Sequence, residues 1–434
     1  MLDMNLSEIE DQLKQAIGAQ SLRTFGEGSG FVIREREITA DRFVSSMVKS
    51  LGSRSVESIA DLVRDFNHDH GVAVHYKPYY QKLSTSCFPR LMHAVFESML
   101  TYLYVEALAP LRNGPFARFR DILIQDGTSF ALHDSLSAAF KGRFTAVSPA
   151  AVELHCTMSL FTDTLVSVTM TGDAECERHH LPDPKDLKDI LLLGDRGYDS
   201  TEYMVAVDDA GGSYLIRIRK CHDPFVAKIH RRGKRYRDLE GYRLSYVLKR
   251  VGKDKLVDMD ICWERPKKQV AFSRVVARWN SVDKEWVRLM TNLDRDEFTV
   301  EDILQAYRLR WQIELLFKEL KSYANLHRYS TTKEPIAEGL IWASFCAAFL
   351  KRYLAHTCQQ MLGGIAISTR RVAMCGHQIL GGVCGALVRG ARGLGNALRS
   401  AFRFLAHNAR RTNPRREKTT GRLALGLRTA GAKA

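Results

Sequence analysis

Asp126 and Asp195 each close a short apolar run, RDILIQD in one case and DILLLGD in the other, and Glu314 follows on a segment of helical period. Carboxylate oxygens are the ligands Mg²⁺ prefers, one or two from the protein and the rest from phosphates and water. Three converging carboxylates would hold two ions roughly 4 Å apart, clamping the attacking and leaving oxygens of an in-line phosphoryl displacement. Without ions they would repel, and one would take up a proton. At about 100° per residue on one continuous helix from Val300, Tyr307, Arg310, Glu314, Lys318 and Lys321 share a face. Leu309, Ile313, Leu316 and Leu320 form a separate apolar stripe. Arg310 and Lys321 suit phosphates that carboxylates would repel, arginine as a fork and lysine as a point charge. Tyr307 has a phenol hydrogen to donate. The plainer reading is a solvated face with a Glu314–Lys318 pair, or Arg310 paired with Glu314.

The elements that must hold these residues follow from the pattern around them. RDILIQD, AVELHCTMSL and LVSVTMTG predict three neighbouring strands, the last two a hairpin around Thr162-Asp163. A charged, proline-bearing loop over 175–186 leads into DILLLGDRGYDS. Residues 211–296 carry YLIRIR, YRLSYVL, LVDMDICW, VAFSRVVARW and EWVRLMTNL, a string of short strands. Helical period returns after Phe298 and runs through 336–356. Residues 1–115 read as helical without an intervening strand. Thr39 or Asp41 is placed to cap ADRFVSSMVKSL, and Ser55 or Ser58 to cap VESIADLVRDF. The stretch 55–84, with a turn at Gly71, has the outline of a helix-turn-helix and equally of an ordinary helical pair.

A length of 434 residues suggests about three structural units. The chain carries a net charge of +15, which points to polyanions. Residues 357–434 hold 14 basic side chains and one acid, Glu417, so basicity concentrates there. This Gly/Arg-rich end reads as a sequence-independent phosphate binder or as a solubilising end, disordered from Asn408. Nine cysteines without a CxxC pair argue against structural zinc and for a reducing compartment. His155, His179 and His180 lack ligand spacing. GEGSG at 26–30 follows no strand and no GK[ST] occurs, so no nucleotide cofactor is implied. The acidic start is unlike a signal peptide. The apolar run 339–350 falls short of the ~20 residues a bilayer requires, and reads as a buried helix.

Asp126 in IQDGTSF, Asp195 in LLGDRGYDS, the spacing Y-x2-R-x3-E-x6-K at Tyr307, Arg310, Glu314 and Lys321, and the preceding TNL at 291–293 together resemble the DDE insertion-sequence transposases of the IS-four family, Tn-five-like with the YREK signature. The likeness runs from about residue 30 to 356. It implies an α+β protein: an RNase-H-like (retroviral-integrase-like) catalytic core over 116–204 and 297–356 and a β-strand insertion domain over 205–296. An all-helical DNA-binding region over 1–115 would precede the core, and a basic region over 357–434 would follow. Asp126, Asp195 and Glu314 would bind two divalent ions, Mg²⁺ or Mn²⁺. Partners would be the terminal inverted repeats of a transposon, target DNA, and a second copy of the chain in a homodimeric synaptic complex. The setting would be the bacterial cytoplasm at the nucleoid, with no membrane. Tyr307, Arg310, Lys318 and Lys321 would contact DNA. Relatives of this type cut the second strand through a hairpin, which requires a base to leave the stack. Trp286 is then the stacking candidate and Trp279 the runner-up, against a buried core tryptophan. Arg196 and Tyr198 would orient the second acid or touch DNA, or merely shape the turn. Two other classes remain open: a metal-dependent nuclease that never joins ends, and a domesticated DNA-binding protein without catalysis.

Overall fold

The computed structural model describes residues 5–32, 36–112, 114–230, 234–253, 256–264, 270–327, 330–411 and 426–430. Six helices open the chain: α1 (Leu6–Ile17), α2 (Ala19–Gly28), α3 (Ala40–Ser53), α4 (Ile59–His70), α5 (Tyr76–Leu83) and α6 (Cys87–Tyr102). Ser58 and Asp61 form a reciprocal capping box at the start of α4. Gly71 ends that helix at φ 60°, a left-handed cap that glycine adopts without a Cβ penalty. Thr39 caps α3 by position only, its hydroxyl making no cap bond. A short strand, β1 (Leu108–Pro110), closes the region, which the reading of 1–115 as wholly helical had not included.

The sheet begins with β2 (Asp121–Ala131), β3 (Ala151–Ser159) and β4 (Thr164–Gly172), an antiparallel meander, and continues with β5 (Ile190–Gly194), α7 (Thr201–Asp209) and β6 (Ser213–Arg217). β5 pairs parallel with β2, and β6 parallel with β5. The order β4-β3-β2-β5-β6 is the arrangement expected of an RNase-H-like core. Then come β7 (Phe225–Ile229), α8 (Lys234–Arg237), α9 (Leu244–Arg250), β8 (Val257–Glu264), β9 (Val270–Asn280) and β10 (Glu285–Thr291). β10 pairs with β6, so among the described residues these strands extend one nine-stranded sheet. The inserted block is therefore continuous with the core sheet. β6, within the range assigned above to the insertion, pairs with β5, and the boundary drawn at 204 falls inside α7.

Two further expectations change. YRLSYVL forms helix α9, because Leu244, Val247, Leu248 and Val251 recur at helical spacing and all are buried. β2 does not stop at Asp126 but runs five residues past it, since Thr128 and Phe130 continue a half-buried strand.

Alternating side chains on β2 and β5 serve two cores, as a pleated strand covered on both faces requires. Ile122, Ile124, Leu191 and Leu193 join the larger cluster with the flanking helices. Leu123, Ile190 and Leu192 join a second cluster that includes Met204 and Val207 of α7 and Leu244 and Val247 of α9. The chain returns to helix in α10 (Val300–Leu309), α11 (Trp311–Tyr323) and α12 (Glu334–Met361). α12 is buried almost continuously from Ile336 to Gln359 and is the core helix expected of that apolar run. Among the described residues no helix is long and apolar enough to cross a membrane.

Beyond 361 the structure departs from a basic tail. α13 (Thr369–Met374), α14 (Gly376–Val388) and α15 (Leu394–Asn408) bury Val372, Leu380, Val383, Leu398 and Leu405, and α14 packs on α3. β11 (Leu427–Thr429) pairs with β1, returning the C-terminal part to the N-terminal one. The expectation of disorder from Asn408 is corrected for 408–411 and 426–430; residues 412–425 and 431–434, with Arg415 and Arg416, lie outside the described residues.

Candidate active site

Register brings the first two acids together. Gln125 on β2 is paired with Gly194 on β5, so Asp126 and Asp195 come next on adjacent parallel strands. The third acid arrives on α11. Thr299 and Asp302 form the capping box that starts α10, and Ile303, Ala306 and Leu309 seat it. Ile313, Leu316 and Leu320 bury the stripe of α11. The helix is not continuous, as the face arithmetic assumed. At Arg310 the backbone N–H bonds to the carbonyl of Tyr307, and Ile313 bonds back to Arg310, two tight i to i+3 turns.

That turn aims Arg310 between the carboxylates. Its guanidinium bonds Asp126 through Nη1 and Glu314 Oε1 through Nη2 at 2.7 Å. The Tyr307 hydroxyl donates to Asp195 Oδ1 at 3.0 Å. All three acids are thus gathered around Arg310 and Tyr307, half-buried. Asp126 is pushed up to about 6, burial first and the charges of Asp195 and Glu314 with it outweighing the downward pull of Arg310 and the Gly127 N–H. Burial beside Asp195 raises Tyr307, leaving it a neutral hydrogen-bond donor. Lys321 is held below its usual value by burial, and its ammonium donates to the Ser129 carbonyl on β2 at 3.3 Å.

The remaining expected residues divide. Lys318 pairs with no acid of the site; its ammonium lies 4.7 Å over the ring of Trp311, an exposed indole beside Arg310 to which sequence reasoning assigned no role. Arg196 is exposed just after Asp195, and its charge is felt by Glu285 at the start of β10. Trp286 follows Glu285, half-buried, directly across from Trp279 at 5.7 Å in a T-shaped contact. Arg217 on β6 pairs with Glu285 and reaches the Tyr307 hydroxyl electrostatically, linking this strand end to the acids. Tyr198 corrects the expectation of a DNA contact. It is only 1% exposed, packed under the backbone of Gly127.

Gly127 and Gly197, the glycines of QDG and DRG, have a reason the sequence did not disclose. A Cβ on Gly127 would come 2.9 Å from Glu153, and one on Gly197 would strike Glu177 at 1.8 Å. Both glutamates pair with Arg143, at 3.3 and 3.4 Å. A second acid pair therefore stands behind the first, and burial with the charge of Glu177 pushes Glu153 up to about 7. His155 stacks on His180 at 3.9 Å and bonds Thr171 at 2.9 Å.

The donor set of the three acids fits hard divalent cations, since it offers oxygens alone and already surrounds one cation, Arg310. Among the described residues no group of three His, Cys, Asp or Glu side chains is close enough to grip an ion as it stands. The guanidinium is what keeps Asp126 and Glu314 apart and satisfied.

Strand order, acids on two adjacent strands and a glutamate on α11 set three carboxylates together in one mixed α+β fold. The chain belongs to the transposase DDE domain family, whose pattern matches residues 117–350. Over 64 residues it is 45% identical to the transposase of insertion sequence element IS421 of Escherichia coli, a match covering 15% of this chain and 17% of that relative. It is 19% identical over 395 residues to the transposase of IS1151 of Clostridium perfringens, covering 83% of each. With the transposase of IS231C of Bacillus thuringiensis subsp. berliner the identity is 20% over 403 residues, again 83% of each. Among solved structures, a piggyBac transposase synaptic complex with hairpin DNA aligns at a TM-score of 0.49 and 11% identity, over 93% of this chain and 85% of that one.

Proposed function

We propose that this protein is a DNA transposase that nicks the ends of an insertion sequence and joins the freed 3′-OH to target DNA. The observation that carries the reading is the meeting of Asp126, Asp195 and Glu314 around one cationic side chain, from the middle of β2, the end of the adjacent β5 and a helix. Asp126, Asp195 and Glu314 would hold two divalent ions, which when bound activate the attacking oxygen and stabilise the leaving one.

The chain's own residues do the rest. Arg310, once released from the carboxylates, offers both Nη groups to a non-bridging phosphate oxygen pair. Tyr307 keeps its proton and donates it as a hydrogen bond beside Asp195. Lys321 brings positive charge to the β2 side of the site. Trp286 supplies an aromatic surface for a base displaced from the stack, in a release through a hairpin, with Arg196 near it for a phosphate. The N-terminal helices bind the terminal repeats, and two copies act together in a synaptic complex, because two ends must be cut in step.

The test is an assay with purified protein, Mg²⁺ and labelled DNA bearing the element's ends. Cleavage and joining should both disappear in Glu314→Gln while end binding persists, because the substitution removes a metal ligand and no DNA-binding cation. Cleavage without joining would favour a nuclease; binding with neither product would favour a non-catalytic DNA-binding protein.

A further inference from the structure

Between β2 and β3 the chain rises into a narrow arm. Lys141 bridges Ala150, the Gly142 N–H donates to the Pro149 carbonyl at 2.9 Å, and Ala174 donates to the Lys141 carbonyl at 3.0 Å. The strands of the arm approach so closely that a Cβ on Gly142 would lie 2.0 Å from the Ser148 carbonyl. At the tip, the N–H groups of Val147 and Ser148 both donate to the Phe144 carbonyl, at 2.9 and 2.8 Å. The tip is thus an ordered turn, yet Phe144 is 68% and Val147 88% exposed. Phe144 and Val147 are thus two large apolar side chains held in water on one hydrogen-bonded turn.

The root of the arm says where it works. Arg143, next to Phe144, bonds Asp173 through its backbone N–H and Nε, and Glu153 and Glu177 through Nη2. Those glutamates rest on Gly127 and Gly197, one residue past Asp126 and two past Asp195. The arm is therefore mounted beside the two stretches of chain that carry the acids, with exposed Lys141 and Arg143 at its base. An apolar tip matches the apolar base stack of a duplex, and exposed Lys141 at its root can meet a phosphate outside that stack, Arg143 being held by Asp173, Glu153 and Glu177. Apolar wedges inserted between base steps unstack and kink DNA.

We propose that Phe144, backed by Val147, is a wedge that enters the base stack of the DNA held at the carboxylates and opens it beside the scissile phosphate. The inference rests on the transposase reading and adds a positioning residue to it. Because the tip is exposed, a Phe144→Ser/Val147→Ser chain should fold, and its thermal transition should match wild type.

The experiment uses full-length protein and end duplexes carrying 2-aminopurine at successive positions around the cleavage site. Wild type should brighten one or two positions on binding, and the double variant should bind equally well without brightening them. Cleavage of paired DNA should fall about tenfold in the variant, recover on DNA mispaired at those positions, and stay normal in Phe144→Trp. An unchanged fluorescence rise, or an equal defect on paired and mispaired DNA, overturns the wedge. Loss of dimer in the variant with unstacking intact would assign the tip to a second copy instead. Should wild type neither bind nor cleave any end, the transposase reading itself falls; cleavage by wild type and variant alike removes only the wedge.

Discussion

Arg310 holds two carboxylates that would otherwise face each other, so its removal leaves an anionic pocket open to cations. Arg310→Gln should bind Mn²⁺ more tightly than wild type in the absence of DNA, by titration followed with electron paramagnetic resonance, while cleavage falls by about a hundredfold or more. Equal Mn²⁺ affinity would show that the arginine does not guard the site. His155 makes a prediction of its own. Burial, together with the charges of His180 and Arg143, lowers it to about 4. The fold keeps the ring neutral, and below pH 6.5 the unfolded chain takes up the proton first. Stability present above 6.5 is therefore lost as pH falls toward 4, by about 2 kcal/mol after screening is allowed for. His155→Gln should lose less urea resistance than wild type between pH 7 and 4.5. At this scale the meeting of Asp126, Asp195, Tyr307, Arg310 and Glu314 was legible from type and spacing, because acids in or after apolar runs and a mixed basic-acidic helix face are visible in one dimension. Glu153, Glu177 and Arg143 were not, because only the close approach over Gly127 and Gly197 joins three distant stretches of chain.

Lys351 on α12 shows how the elements are fastened. Its ammonium donates to the carbonyls of Gly52 at 3.0 Å, Tyr323 at 2.6 Å and Ala373 at 3.4 Å, tying the ends of α3 and α11 to α13. Arg352 beside it bonds Glu319 of α11 at 3.0 Å. Asn325, at φ 62°, bonds Val56, Leu51 and Arg54. The helix carrying Glu314 is thereby fixed to the N-terminal helices. Lys351→Met strands three carbonyls and should cost about 3 kcal/mol in a chemical unfolding measurement. Amide exchange should rise at the ends of α3, α11 and α13; an unchanged midpoint would make the lysine incidental. Element type was legible where period was long, as in α12 and the β3–β4 hairpin. It misled at YRLSYVL, where seven residues satisfy both periods, and at Arg310, where a continuous helix was assumed across a local tightening of the turn.

In the whole molecule, the strands of 225–291 share the core sheet, and the C-terminal helices share the N-terminal core. Neither union is written in local pattern, since both depend on pairing between segments far apart in sequence, β6 with β10 and β1 with β11. The net positive charge of 357–434 suggested a solvated tail, but its leucines are what the fold uses. A chain ending at Arg411 loses β11, with Leu427 fully buried, and should unfold earlier by about 2 kcal/mol. A mere loss of salt-dependent DNA affinity with stability unchanged would restore the tail reading. On the proposed reading, this whole arrangement serves to set three carboxylates around metal ions at a phosphate. The most direct test of that reading is anomalous diffraction from crystals of the full chain bound to cleaved end DNA with Mn²⁺. Manganese peaks are expected among Asp126, Asp195 and Glu314, with Arg310 moved onto the DNA. Manganese absent from these three side chains, with Arg310 still bridging Asp126 and Glu314, would contradict it.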